Sequence, residues 1–274
     1  MSAQIWVFGD YGQAESRVCA WRGPIPLMKQ WYLEGRDTHL GTAKLIGKFV
    51  QENKLKMPHD VFRRKPWEEF TKDDEEERDI GKKSNHANNY GLGKIKFATI
   101  SGLPLLYAEI IQNIHHSIFP EIRSGYQQWI KNQLSKDRVI HLPPPFKWKK
   151  TFYGLYDSEM ERAGFAFYPQ STVGHMLVVL LNKLCNIFNK DGLKEARVLT
   201  PEVIRSAGFD VQLQVHDSVG ISIPNSQEVI QYVCRTVKKE AEMELLVGDA
   251  EPLIIPMDFK IGPNWGELKA YKDF

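Results

Sequence analysis

Two runs of strict alternation, Val211-Gln212-Leu213-Gln214-Val215 and Val219-Gly220-Ile221-Ser222-Ile223, flank a short polar tip, His216-Asp217-Ser218. Period-two alternation puts apolar side chains on one face of a strand. Two such runs across so short a tip predict a β-hairpin. A second β-prone run, Ile5 to Phe8, ends in Gly9-Asp10-Tyr11-Gly12-Gln13, and Ile254 to Trp265 reads as a final strand and turn. The two ends of the chain therefore supply strands, and most of what lies between reads as helix.

A helix begins near Ala14 and carries Glu15, Arg17 and Val18, and residues 34–47 read as another, containing His39. Residues 51–70, with Pro58 and Pro66, read as an irregular connection. Glu77 to Gly91 reads as one helix, with Thr71 and Asp74 as a capping box before it and Gly91 and Gly93 marking its end. Pro104 opens a helix over Leu105 to Phe119, and Pro120 leads into another over Glu121 to Ser135. Leu142-Pro143-Pro144-Pro145-Phe146 excludes helix and central strand, so a loop or irregular hairpin runs to about residue 158. Gln170 to Asn189 reads as a buried apolar helix closed by Gly192. Ser226 to Leu246 reads as an amphipathic one, with Val229, Val233, Val237, Ala241 and Leu245 on one side.

Along the helix from Glu77, the residues Arg78, Lys82, His86 and Tyr90 recur every four positions and form one slowly rotating stripe. Guanidinium, ammonium, imidazole and phenol in a row suit a polyphosphate and a base; an ordinary solvated helix also carries such charges. The net charge of +2 announces no global field for nucleic acid. Basic surface must then be local: Arg63-Arg64-Lys65 beside Trp67, and Lys147 to Lys150 around Trp148. Cys19, Cys185 and Cys234 show neither zinc-ligand spacing nor an even count for a disulfide framework, which favours a reducing compartment. The N-terminus lacks a basic, then apolar, leader. The longest apolar stretch, Met176 to Leu181, is too short to span a bilayer. There is no G-x-x-x-x-G-K-[ST] and no H-E-x-x-H, and His115-His116 read as helix surface.

Asp10 and Asp217 each sit at a strand end or hairpin tip. If their strands are neighbours, the two carboxylates meet at one sheet edge. Such a pair suits hard divalent cations, which can activate a hydroxyl and stabilise a leaving pyrophosphate. Taken singly, each aspartate is an ordinary turn residue.

Asp10-Tyr11-Gly12-Gln13-Ala14-Glu15-Ser16-Arg17 resembles motif A of the family A DNA polymerases, the bacterial DNA polymerase one type. Arg78, Lys82, Asn85, Tyr90 and Gly91 match motif B, and Gln214-Val215-His216-Asp217 matches motif C. Glu34 to His39, Pro169 to Val173 (phage-like) and Gly262 to Trp265 resemble further family segments, in order along the chain.

The resemblance implies an α+β fold: a right-hand polymerase palm with an antiparallel β-sheet plus mainly helical fingers, thumb and exonuclease domains being absent. The palm would take residues 1–17 and 161–274, the fingers 18–160. Asp10 and Asp217 would carry two Mg²⁺ ions (or Mn²⁺), helped by the Tyr11 carbonyl. Arg78, Lys82 and His39 would hold the triphosphate, Lys82 also acting in catalysis. Glu15 would gate the sugar, Gln13 and His86 would line the nucleotide, and Tyr90 would stack near the templating position. Arg17, Arg162, Gln170 and His216 would contact primer–template DNA. The expected reaction is transfer of dNMP from a dNTP to a primer 3′-hydroxyl, in the cytoplasm of a bacterium or phage-infected host, with no membrane involved.

Three positions depart from the family pattern: His86 replaces the motif B aromatic, Ser218 an auxiliary carboxylate, and Ala166 an asparagine. The chain begins nine residues before Asp10, so a fragment or split polymerase is expected, with a second polypeptide or missing segment supplying thumb and upstream palm. Two alternatives stand beside this. One is a single-subunit RNA polymerase-like enzyme, suggested by His216-Asp217-Ser218. The other is a catalytically weak nucleic-acid-binding or assembly subunit.

Overall fold

A computed structural model describes residues 4–189, 210–248 and 251–274. Among these, one unit takes in the chain up to Ala14, from Gln170 to Leu246, and from Glu251 to Phe274; the other takes in Glu15–Pro169 with residues 247 and 248.

The first unit is built on a five-stranded sheet. Strands β1 (Gln4–Tyr11), β4 (Asp210–Val215), β5 (Ser218–Pro224), β8 (Met257–Gly262) and β9 (Lys269–Tyr271) lie in the order β4-β5-β1-β8-β9. Every pairing is antiparallel. The expected hairpin is β4–β5, with Val215 opposite Ser218. Alternation along β1 sorts its two faces. Val7 and Tyr11 are buried toward helix α9 (Gln227–Ala241), whose Val233, Cys234, Val237 and Ala241 pack on the sheet. The Tyr11 hydroxyl donates to the Ala241 carbonyl at 2.9 Å. Trp6, Phe8 and Asp10 occupy the other face, where Trp265 covers the two aromatics edge-on. The amphipathic helix stops at Ala241 rather than Leu246, because Glu244–Leu245 (β6) pairs with Leu253–Ile254 (β7).

The second unit is mainly helical: α1 (Ala14–Arg22), α2 (Pro26–Leu33), α3 (Thr38–Glu52), α4 (Glu75–Asn89), α5 (Lys94–Ser101), α6 (Leu105–Ile118) and α7 (Gln128–Lys136), the last entered through a π-helical segment, Ile122–Gln127. Helix α2 was not expected. The helix expected from residue 34 starts at Thr38, because the Asp37 side chain caps it, accepting from the His39 and Leu40 N–H groups at 3.0 and 3.1 Å. The capping box before α4 is also corrected. Asp74 is the N-cap residue and makes no side-chain cap bond; its carboxylate turns back to the Thr71 N–H at 2.6 Å. Ile46, Phe62, Phe70, Ile80, Phe97 and Ile111 belong to the core that α3, α4, α5 and α6 share.

A short ribbon, β2 (Val139–His141) and β3 (Lys149–Thr151), precedes α8 (Ser158–Asn189). The sequence placed the start of α8 at Gln170, yet the helix begins twelve residues earlier and passes through Pro169. Proline removes the bond that would reach the Phe165 carbonyl; the buried Tyr126 hydroxyl donates to that carbonyl instead. Gly192, expected to close the helix, lies outside the described residues. No described helix is long and apolar enough to cross a membrane.

Candidate active site

In the sheet unit, Asp10 is the next-to-last residue of β1 and Asp217 sits at the β4–β5 tip. The Tyr11 N–H donates to the Asp217 carbonyl at 3.2 Å, which locks the tip against β1. His216 turns the tip with φ of +52°, a left-handed conformation that histidine tolerates better than most residues. The two carboxyl groups come within hydrogen-bonding reach of each other. Burial, and then the negative charge of Asp217, push the Asp10 pKa up to about 6; burial raises that of Asp217 as well. Two half-buried carboxylates that cannot both ionise comfortably are a donor set suited to a hard cation.

No three His, Cys, Asp or Glu side chains among the described residues form a metal cage. Mg²⁺ does not require one, since it is held by one or two carboxylates plus waters and substrate oxygens. Ser218, where the resemblance expected an acid, is buried and donates to the Val215 carbonyl at 2.6 Å. Two groups escaped the sequence reading: Asp258 lies directly opposite Asp10 on β8, and Lys260 opposite Phe8. Asp258 raises and Lys260 lowers the Asp10 pKa. The alternation Met257-Asp258-Phe259-Lys260 was the available signal.

In the helical unit, Lys82 and His86 are exposed on α4, Arg78 is half-buried and Tyr90 is buried. Arg78 grips Asp37 through Nε at 2.9 Å and Nη2 at 2.8 Å. Burial works to raise the Asp37 pKa, but the Leu40 N–H and Arg78 outweigh it and hold the carboxyl below its usual range. Helix α4 crosses α3 so closely at Gly81 that a Cβ there would stand 2.3 Å from the His39 carbonyl oxygen. That approach brings His39 beside the stripe. Burial, then the charges of Arg78 and Lys82, depress the His39 pKa to about 4, so its ring is neutral at physiological pH.

Asn85, buried on α4, is a polar hub. Its Oδ1 accepts from Thr42 Oγ1 at 3.0 Å and lies 2.9 Å from His115 Nε2, while its Nδ2 is 3.3 Å from His39 Nδ1. His115 is therefore no surface residue: it is fully buried, and burial drives its pKa to about 3. An adjacent pair of polar residues on an apolar helix gave no hint that one of them was internal.

At the end of the stripe the Tyr90 hydroxyl donates to the Glu15 carboxylate. His86 stands edge-on to Tyr90 with ring centroids 4.6 Å apart; although the residue is exposed overall, desolvation of its ring lowers its pKa too. Arg17 lies over the Tyr32 ring at 4.4 Å. A pocket of about 380 Å³ opens beside Gly91, lined in part by Arg162, Lys131, Arg123 and Lys94. Gln13 adopts φ of +53° in the turn after β1, and Gln170 is exposed on α8. The basic cluster at 63–65 is largely spent on its own unit: Arg64 pairs with Glu76, and Lys65 with Asp74 at 2.7 Å.

No protein-family profile matches the chain, and no curated sequence is significantly similar to it. Among solved structures, the chain shares its fold with the POL domain of Pol1 from M. smegmatis, solved in complex with DNA primer-template and dNTP. The TM-score is 0.65 at 17% identity, over 94% of this chain and 39% of that one. The chain thus spans well under half the length of that polymerase chain.

Proposed function

We propose that this chain carries out template-directed DNA synthesis, adding dNMP from a dNTP to a primer 3′-hydroxyl. The sheet unit would be the palm and the helical unit the fingers. The observation that carries the proposal is the convergence of Asp10 and Asp217 across neighbouring strands, within a fold shared with a polymerase domain. Mg²⁺ bound there supplies the chemistry of lowering the pKa of the primer hydroxyl and neutralising phosphate charge.

The chain's own residues do the positioning. Asp10 and Asp217 hold the cations, with the Tyr11 carbonyl completing the donor set. Lys82 and Arg78 bind the triphosphate; Arg78 must share its guanidinium with Asp37 or exchange one partner for the other. His39, neutral and fixed by Asn85, offers a hydrogen bond rather than a charge. Glu15, anchored by Tyr90, lies against the sugar and disfavours a 2′-hydroxyl, and His86 packs beside the base. Gln13 assists at the nucleotide, while Arg17, Arg162, Gln170 and His216 contact primer–template DNA.

The test is primer extension with and without Mg²⁺, comparing the wild-type chain with Asp217→Asn. Loss of a ligand that helps stabilise several kcal/mol of transition-state charge should reduce extension by about a thousandfold. Extension by the variant at the wild-type rate, or by the wild type in excess chelator, would overturn the proposal.

A further inference from the structure

The ribbon between α7 and α8 carries a surface that the proposed chemistry leaves unused. From residue 138 to residue 156 the chain holds Arg138, Lys147, Lys149 and Lys150, and not one aspartate or glutamate. Large apolar side chains stand out among them: Trp148 is 55% exposed, Tyr153 88% and Leu155 86%.

The backbone under them is well held. Val139 to His141 pair with Lys149 to Thr151. The Leu142 N–H donates to the Trp148 carbonyl at 2.9 Å, and the Phe152 N–H to the Arg138 carbonyl at 2.8 Å. Phe152 is the buried anchor, with Phe167 edge-on to it and Lys150 over both rings.

The carboxylates that flank the ribbon are already engaged. Asp137 accepts from the Val139 N–H, Asp157 caps α8 through the Glu159 and Met160 N–H groups, and Glu161 takes Lys131 and the Tyr156 hydroxyl. Among the described residues, none of the ribbon's four cations forms an ion pair with a carboxylate. The basic cluster at 63–65 is the contrast, since two of its three cations are neutralised within their own unit.

We infer that this ribbon binds single-stranded nucleic acid, with bases stacking on Trp148 and Tyr153 and the backbone phosphates meeting Lys147 and Lys149. A sequence-tolerant single-strand site combines these two elements, aromatic faces and a cationic track. A protein partner fits less well, because the centre of a protein interface is depleted in lysine, and here Lys147 and Lys149 flank Trp148. The inference stands on the ribbon's own residues and does not depend on the polymerase reading.

The experiment is fluorescence anisotropy of a labelled oligo-dT with the whole chain, without dNTP or divalent ion. Trp148→Ala/Tyr153→Ala should weaken binding by about tenfold or more. Lys147→Gln/Lys149→Gln should make the salt dependence shallower by about 1.4 in logarithmic slope. Tyr153→Ala alone removes a side chain that its own fold scarcely touches, so it reports on binding even if the double variant folds poorly. Wild-type affinity in all three variants, or no binding of oligo-dT by the wild type, overturns the inference. So does loss of a co-purifying polypeptide from variants that keep their affinity for oligo-dT. The assay contains no substrate for extension, so a failed extension test leaves this result standing.

Discussion

Glu15 and Tyr90 show how much one side-chain pair can hold in place. A carboxylate next to a sugar is useful as a gate only if it cannot swing away, and the buried Tyr90 hydroxyl restrains it. Hydrogen bonds to charged groups contribute roughly 1.5–3 kcal/mol. Glu15→Ala should therefore raise incorporation of rNTP relative to dNTP by about tenfold or more, and Tyr90→Phe should raise it less, since the carboxylate stays but is unanchored. Single-nucleotide incorporation with matched dNTP and rNTP measures both; unchanged discrimination in Glu15→Ala would remove the gate from the proposal. Both residues were legible in the chain as motif positions. Their bond to each other was not, because nothing in the spacing of positions 15 and 90 encodes a contact. Asn85 makes the same point. It was readable as a motif B asparagine, but its work as the hub joining Thr42, His39 and His115 exists only once α3 and α6 pack around α4.

Among the elements, the α3–α4 crossing positions the phosphate-binding candidates. Gly81 lets the two backbones meet where any side chain would strike the His39 carbonyl. Gly81→Ala should force the helices apart and destabilise the unit by about 1–3 kcal/mol, the usual range for an overpacked core. Denaturant unfolding measures that loss, and nucleotide affinity should fall in parallel as His39 and Asp37 move from the stripe. A variant as stable as wild type would show that the crossing relaxes at little cost. The sequence predicted both helices but placed the start of α3 four residues early, since Asp37 can be read as a helical residue or as its cap until the His39 and Leu40 N–H groups are seen to choose the cap. The start of α8 was missed for a related reason. Proline normally marks a boundary, and only a distant tyrosine hydroxyl reveals that the broken bond has been replaced.

For the whole molecule, the carboxylate pair ties stability to pH. The Asp10 pKa of about 6 in the fold lies above its usual 3.8. The folded chain therefore binds more protons than the unfolded chain between those values. Without divalent ions, the Asp10 contribution to stability should be greatest below about pH 4, fall as the pH rises toward 6, and stay lower above it. His39 and His115, whose pKa values the fold depresses, contribute in the opposite direction over the same range. Mg²⁺ should raise the melting temperature at pH 7–8, and Asp10→Asn should lose less stability than the wild type between pH 4 and 6 while abolishing extension. Thermal melts across pH, with and without Mg²⁺, measure this; a wild-type profile unaffected by either the ion or the substitution would count against the paired-carboxylate site. The sequence by itself determined the strands at both ends, the helical middle, the cationic stripe and the order of the motifs, because periodicity and turn chemistry are properties of neighbours along the chain. Only the tertiary structure decided that Asp10 and Asp217 meet, that Asp258 joins their face, that His115 is internal and that Arg78 already holds Asp37. Each of these depends on strand order or helix crossing, and those are fixed by burial and backbone pairing between segments far apart in sequence.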